Sequence, residues 1–389
     1  MCANIFQYDP LVNTEYLYIH WPFCPYKCSF CPFVAFAGVD HFMEQYHKTL
    51  CEEINFFKAH NNTKSTIKTI FIGGGTPSTY PDQLLLDMSG TIRRTFNVAS
   101  DAEFTIEVNP GTVRIEQLAI WKDAGINRLS IGVQSLNDKA LHKLNRHQSA
   151  ESVYFLLKEA SSHFENISVD IMLGLPNVSK ADWCDLIAKL VNWPIKHVSM
   201  YFLTLHENTM LYRGVAEGKV QLPLDDEVVD QYYWTVDQLK KAGFEQYEVS
   251  SFAKPGFASK HNQAYWDRVP YRAFGVGACS FDGVMRYQNE KNLLKYLKLV
   301  SSGCSATNFA EELDFKQAWL EKLMLGMRRS KGVLIADLTN CLTKKQIIRF
   351  NEQLNLLEKA QFLQVKNGSL YLTPKGLSVE NEIVVQLSI

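Results

Sequence analysis

No run of about 18 consecutive apolar residues occurs in this 389-residue chain, so no transmembrane helix is expected. An excess of either charge is also missing: 40 Lys and Arg stand against 41 Asp and Glu, for a net charge of −1. That balance argues against a nucleic-acid partner and against an anionic membrane surface. The opening residues, MCANIFQYDPLVNTEY, show neither the basic start and apolar core of a secretory signal nor the Arg-rich, acid-poor character of a transit peptide. Nine cysteines without a secretory signal are then expected as thiols in a reducing compartment, with the cytoplasm as the expected location. A Ser-His-Asp order, a Walker loop and an HExxH helix are all lacking, which sets aside hydrolase and nucleoside triphosphatase readings. No low-complexity tract or internal repeat stands out beyond alternating strands and helices.

What is present begins at Tyr18–Phe33, YIHWPFCPYKCSFCPF, where Cys24, Cys28 and Cys31 form a C-x3-C-x2-C array. Structural zinc wants four closed ligands, but no second CxxC exists and Cys2, Cys51, Cys184, Cys279, Cys304 and Cys341 are scattered. An odd triplet suits a disulfide poorly, and the Pro and Lys between the cysteines speak for a loop rather than buried packing. A 4Fe-4S cluster is normally held by cysteine thiolates. Three of them leave one iron open, and the usual partner of an open iron is S-adenosylmethionine (SAM).

With 46% hydrophobic and 21% charged residues, the chain can bury one large core with a smaller appendage, or two domains. Strand-like segments at 15–20, 67–72, 103–108, 127–133, 167–173 and 197–203 alternate with helical stretches at about 40–59, 81–96, 114–124, 137–145, 150–163 and 180–192. That is a parallel βα array, and periodicity alone does not separate a partial barrel from a doubly wound sheet. Beyond about 205 the rhythm changes: helix 225–242, strand 247–252, a loop to Lys260, then helices near 290–300 and 312–328. The tail reads as helix 344–359 followed by a hairpin turning at Asn367-Gly368, which resembles a winged helix. Its balanced charge favours a packing or lid role over DNA binding.

In βα barrels, ligands meet the loops that leave the C-terminal ends of the strands. The cysteine loop leaves strand one there, and Gly73-Gly74-Gly75-Thr76-Pro77 leaves strand two, its glycines allowing close approach to the backbone. Glu107 ends strand three, Gln134 ends strand four and Asp170 interrupts strand five. Each alone reads as readily as a buried salt bridge or hydrogen bond. Together, on three successive strands at one rim, they suggest a polar cup.

The cysteine array after YIHWPF resembles the signature of the radical SAM superfamily. Within it, the chain resembles the group that holds the oxygen-independent coproporphyrinogen III oxidases and the haem chaperones of the HemW type, from about Tyr16 to the C-terminus. The resemblance implies an α/β fold: an open (β/α)6 TIM-like partial barrel over 15–215, an α+β extension over 216–310, a winged-helix-like C-terminal domain over 311–389, and an N-terminal segment 1–14. It implies a 4Fe-4S cluster on Cys24, Cys28 and Cys31, and SAM held by Tyr18, Gly74, Gly75, Thr76, Glu107, Gln134, Arg146 and Asp170. Arg146 offers a planar fork to a carboxylate; a solvated charge at a helix end is its plainer reading.

Two features separate the branches. The oxidases carry a further cysteine two positions after the third ligand, where this chain has Phe33. His261-Asn262-Gln263-Ala264-Tyr265-Trp266 resembles the HNxxYW motif of the chaperone branch. An imidazole can ligate haem iron and aromatic neighbours can stack on a porphyrin, although a lone His near Tyr and Trp is more often a packed, hydrogen-bonded side chain. The position after Pro255-Gly256 predicts an accessible loop. Cys279 stands where relatives commonly carry His and is a second haem-ligand candidate, and Ser251 replaces a more usual Asn. The leading expectation is a haem chaperone that carries haem to haem-requiring proteins, with a homodimer as a candidate assembly and with SAM and cluster setting conformation or oligomeric state. The alternative is an oxygen-independent coproporphyrinogen III oxidase, against which the missing cysteine stands. A third reading is another radical SAM tetrapyrrole reaction, such as anaerobic haem ring opening. Whether SAM is turned over stays open at this stage.

Overall fold

Strand β1 (Tyr16–Trp21) sets the pattern that the next five strands repeat. Its residues alternate: Leu17, Ile19 and Trp21 join the main apolar cluster with Leu50 and Ile54 of helix α1 (Met43–His60), while Tyr18 and His20 lie on the other face, hydrogen-bonded to each other at 3.1 Å. In this computed structural model, residues 14–60, 65–377 and 379–388 are described; the expected N-terminal segment 1–14 lies outside them apart from Thr14.

Strands β2 (Thr66–Gly74), β3 (Asn97–Val108), β4 (Arg128–Gln134), β5 (Asn166–Leu173) and β6 (His197–Phe202) follow as parallel neighbours in chain order. Between them run α2 (Asp82–Thr95), α3 (Glu116–Asp123), α4 (Asp138–Lys143), α5 (Ala150–Ala160) and α6 (Lys180–Leu190). Side chains such as Ser149, Ser179 and Asn137 cap the helices they precede and so fix where each crossover begins. The expected (β/α)6 array is therefore present.

The chain returns to this sheet after residue 216. Helix α7 (Met210–Ala216) and helix α8 (Asp225–Lys241) lead to β7 (Glu245–Glu248) and β8 (Ser251–Ala253), which add antiparallel beyond β6. The sequence reads 247–252 as one strand; the structure breaks it at Val249-Ser250 into two that pair with each other. Helix α9 (Lys260–Trp266) stands where a loop is expected. Strand β9 (Arg272–Phe274) then pairs in parallel with the opposite edge, Leu17 facing Arg272 and Ile19 facing Phe274. The nine-stranded order is β9-β1-β2-β3-β4-β5-β6-β8-β7.

Beyond it, residues 279–281, 285–289 and 307–312 form a small antiparallel sheet. A second apolar cluster, built on Trp319, Leu323, Phe350, Leu354 and Leu370, underlies the C-terminal segment. There helix Lys344–Lys359 precedes the hairpin Leu363–Lys366 and Ser369–Leu372, with Asn367 and Gly368 both at positive φ in the turn. No helix among the described residues is long and apolar enough to cross a membrane.

Candidate functional site

Period-two alternation puts every second residue of each strand on one shared face, which is polar apart from one aromatic and two glycines. On β2 these are Thr69, Phe71 and Gly73; on β3, Glu103, Thr105 and Glu107; on β4, Arg128, Ser130 and Gly132; on β5, Ser168 and Asp170. At the C-terminal ends of the strands this face opens into a cavity of about 520 Å³. Cys24, Cys28, Cys31, Gly74, Gly75, Thr76, Glu107, Gln134, Arg146 and Asp170 all line it. Of the residues expected to form the SAM site, Tyr18 is the one the structure does not bring to the cavity wall. It sits one layer deeper, stacked on Phe71 at 6.1 Å.

The cysteine loop is tied down before any ligand is considered. Ser29 N–H donates to Leu144 O at 2.9 Å, Leu211 N–H donates to Ser29 O at 2.9 Å, and Asn145 Nδ2 donates to Lys27 O at 2.9 Å. Two donors point at the sulfurs: Thr76 Oγ1 reaches Cys24 Sγ at 3.3 Å, and Arg146 Nη1 reaches Cys28 Sγ at 3.8 Å. Burial pushes the Cys24 thiol up to about 11 and raises Cys31 as well. Only an electropositive ligand turns such buried thiols into thiolates at neutral pH.

The glycine seam has a steric reason. A Cβ at Gly75 would lie 2.7 Å from Phe23 O and 3.0 Å from Cys24 Sγ, so a side chain there would push into the cysteine loop. Gly74 adopts φ +120 and its N–H donates to Glu107 Oε2 at 3.0 Å.

The carboxylates are held against their preference. Burial first, and then the charge of Asp170, push Glu107 up to about 8, although the Gly74 N–H opposes this. Asp170 is also raised, chiefly by burial, against hydrogen bonds from Ser199 and Ser130 and the charges of Arg128 and Arg146. Arg146 is largely spent on the protein: Nε donates to Gln148 Oε1 at 2.8 Å and Nη2 to Gly132 O at 2.5 Å. Gln134 adopts a left-handed φ of 61 at a register shift in β4, and its buried Oε1 has no hydrogen-bond partner among the described residues. A strained non-glycine backbone at a cavity wall, beside a buried unpaired acceptor, is a pattern that marks functional sites.

These features fit a three-cysteine cluster better than a mononuclear metal. Among the described residues, the group of three donors whose ligand atoms all lie within 4.8 Å is His47, Cys51 and Asp87; the loop cysteines are not such a group. Their sulfurs therefore stand too far apart for one tetrahedral ion.

The HNQAYW segment lies elsewhere. His261 is 1% exposed, and the expected accessible loop is corrected to helix α9, in which His261 and Ala264 are buried. Its Nδ1 is 2.7 Å from Thr69 Oγ1 and its Nε2 is 2.9 Å from Tyr265 OH, with the ring stacked on Phe71 at 5.1 Å. Burial, with the positive charge of Arg128, drives its pKa down to about 3. The Glu103 carboxylate accepts from Lys260 N–H and His261 N–H, both at 3.0 Å, and so fastens the start of α9 under the barrel. Glu103 and Glu107 are four residues apart on β3, about 13 Å along the strand, and none of the α9 residues lines the cavity. Cys279 is exposed, accepts from Gln288 Nε2 at 3.1 Å and does not line the cavity. Ser251 pairs with Ser199 in the sheet.

The sequence reading misses part of the wall: Ser130, Met172, Tyr201, Phe202, Leu203, Thr204 and His206. Strand parity carries a signal for Met172 and Tyr201, which are two residues beyond Asp170 and Ser199 and opposite each other in register.

A family description of the radical SAM superfamily matches residues 18–190, and one of the HemN C-terminal domain matches 313–379. The haem chaperone HemW of Lactococcus lactis is 31% identical over 94% of this chain and 95% of its own length; that of Bacillus subtilis is 31% identical over 94% and 97%. A mitochondrial radical S-adenosyl methionine domain-containing protein 1 from Danio rerio is 32% identical over 95% of this chain and 85% of its own length. The solved coproporphyrinogen III oxidase HemN of Escherichia coli superposes with a TM-score of 0.84 at 22% identity, covering 98% of this chain and 92% of that one, which is a likeness of fold. The chain belongs to the radical SAM superfamily and, within it, to the family of the haem chaperone HemW.

Proposed function

We propose that this protein is a haem chaperone: it binds haem and hands it to haem-requiring acceptor proteins. The observation that carries this is the near full-length similarity to haem chaperones HemW, over 94% of this chain. Phe33, where the oxidase resemblance calls for a further cysteine, supports it. Membership of the radical SAM superfamily implies a 4Fe-4S cluster and SAM. We assign the cluster to Cys24, Cys28 and Cys31, with Thr76 and Arg146 donating to the sulfurs. We assign SAM to the polar cup. Glu107 and Asp170 would face its amino group, the Gly74–Gly75 edge would pass close to it, and Gln134 would border it. When bound, a reduced cluster supplies the electron for one-electron chemistry on SAM. The protein's part is to hold both in a pocket that buries their polar groups.

The test sets this reading against its rival. Cluster-loaded protein meets coproporphyrinogen III, SAM and a strong reductant without oxygen, and a parallel sample meets hemin and then an apo-haem protein. Intact coproporphyrinogen with stoichiometric haem binding and transfer is the expected result. Loss of two carboxyl groups per substrate over many turnovers would make the protein an oxidase and overturn the proposal.

A further inference from the structure

The chaperone reading needs an iron ligand, and the histidine that the motif offers has both ring nitrogens occupied inside the barrel. Nine other histidines occur in the chain, and among the described residues one of them, His206, lines the cavity that holds the three cysteines. It lies on the loop after β6. This loop is anchored at both ends: Leu203 N–H donates to Leu173 O at 2.9 Å, and Thr209 N–H and Oγ1 both donate to His206 O. Between those anchors Leu203 and Leu205 pack with Phe30 of the cysteine loop in a small satellite cluster. His206 is thus held beside the cysteine loop by its backbone, while its exposed ring makes no hydrogen bond among the described residues.

The surroundings suit a flat apolar ligand. Phe33 is 63% exposed, and Tyr201 and Phe202 keep 42% and 38% of their surface exposed at the end of β6. All three line the same cavity as His206. Exposed aromatic rings gathered at one mouth mark a binding surface rather than an economical fold. Lys27, exposed at the same rim, offers an ammonium to an anionic group. Aromatic faces, one exposed imidazole and a cation at the edge are the complement of an iron tetrapyrrole: its π-face, its metal and its propionates.

We propose that His206 ligates the iron of the haem cargo, which docks at the cavity mouth against Phe33, Tyr201 and Phe202. The proposal rests on the haem-chaperone reading. It separates the cargo site from HNQAYW and places it over the pocket assigned to cluster and SAM, so that occupancy of that pocket and haem binding share a wall.

Full-length, cluster-loaded protein is titrated with hemin without oxygen, and the Soret band and cluster EPR signal are followed for wild type, H206A, H206C and H261A. The expected result is weaker binding for H206A by about tenfold or more, corresponding to 1.4 kcal/mol. H206C should restore binding with a Soret band displaced toward a thiolate-ligated haem, and iron per cluster should be unchanged in both variants. H206A with wild-type affinity and Soret position overturns His206 as the ligand while leaving the chaperone reading intact. A changed cluster signal with an unchanged haem titration would move His206 to the cluster and also overturn the proposal. Wild type that binds cluster and SAM but no hemin overturns the chaperone reading itself, and the ligand assignment with it.

Discussion

Two short segments stand out as ligand motifs, C-x3-C-x2-C at 24–31 and HNQAYW at 261–266, and the fold treats them in opposite ways. The cysteines end on a loop at the open rim of the strands, with donors aimed at their sulfurs. The histidine ends on a helix fastened under the barrel, with both ring nitrogens committed and a pKa driven down to about 3. Ligand chemistry needs a free lone pair that a ligand can reach. Residue type and spacing supply the lone pair, and burial decides whether it is free.

The largest effect expected on this contrast comes from Cys28→Ala. Iron should fall from about four per chain to near zero in cluster-loaded samples, with the protein still folded by circular dichroism. Unchanged iron content would remove the loop from the cluster and erase the difference between the two segments.

His261→Ala should act on stability. It strands the Thr69 and Tyr265 hydroxyls in the interior and opens a cavity beside Phe71, at a cost of about 2–4 kcal/mol in denaturant unfolding. Cluster content and hemin affinity should stay at wild-type levels. A stable variant that loses hemin would turn the comparison round and restore His261 as the iron ligand.

Glu107 sharpens the open-rim side. Its carboxyl is neutral below about 8 in the unliganded cup, because burial and Asp170 both oppose charge. A cationic amino group bound beside it favours the carboxylate, so binding releases a proton. SAM affinity should therefore rise with pH, by up to about tenfold per unit, until about 8 and level off above. Glu107→Gln should flatten that profile in calorimetric titrations. The same group makes the unliganded fold lose stability as pH rises from the ordinary carboxylate range to about 8, since the native state there binds a proton that the unfolded chain has released. A pH-independent SAM affinity in wild type would take Glu107 out of the site.

The smallest effect belongs to Phe33. At 63% exposure, Phe33→Cys should change unfolding free energy by less than about 0.5 kcal/mol and leave cluster iron unaltered. Recreating the oxidase spacing in this way should not by itself produce decarboxylation of coproporphyrinogen III; if it does, one residue separates the two branches.

Much of the barrel was legible because its signals are local. Apolar residues such as Leu17 and Ile19 alternate with Tyr18 and His20, and Ser and Asn caps mark where crossovers start. The polar cup was legible for the same reason: Glu107 and Asp170 break apolar runs at strand ends. Helix α9 and strand β9 were not. Seven and three residues long, they carry too little periodicity to be read, and what holds them is remote in sequence: Glu103 for α9, and the edge of β1 for β9. His206 escaped notice because nothing in LTLHENT marks one histidine above another.

The sequence by itself determined the βα order, the cysteine spacing, the rim carboxylates and the Asn-Gly hairpin, all consequences of neighbours along the chain. Only the tertiary structure decided which histidine meets solvent, that Tyr18 lies beneath the cavity, and that residues 272–274 return to flank β1. Those outcomes depend on which surfaces remain after strands far apart in sequence have packed, and burial is a property of that packing rather than of any residue.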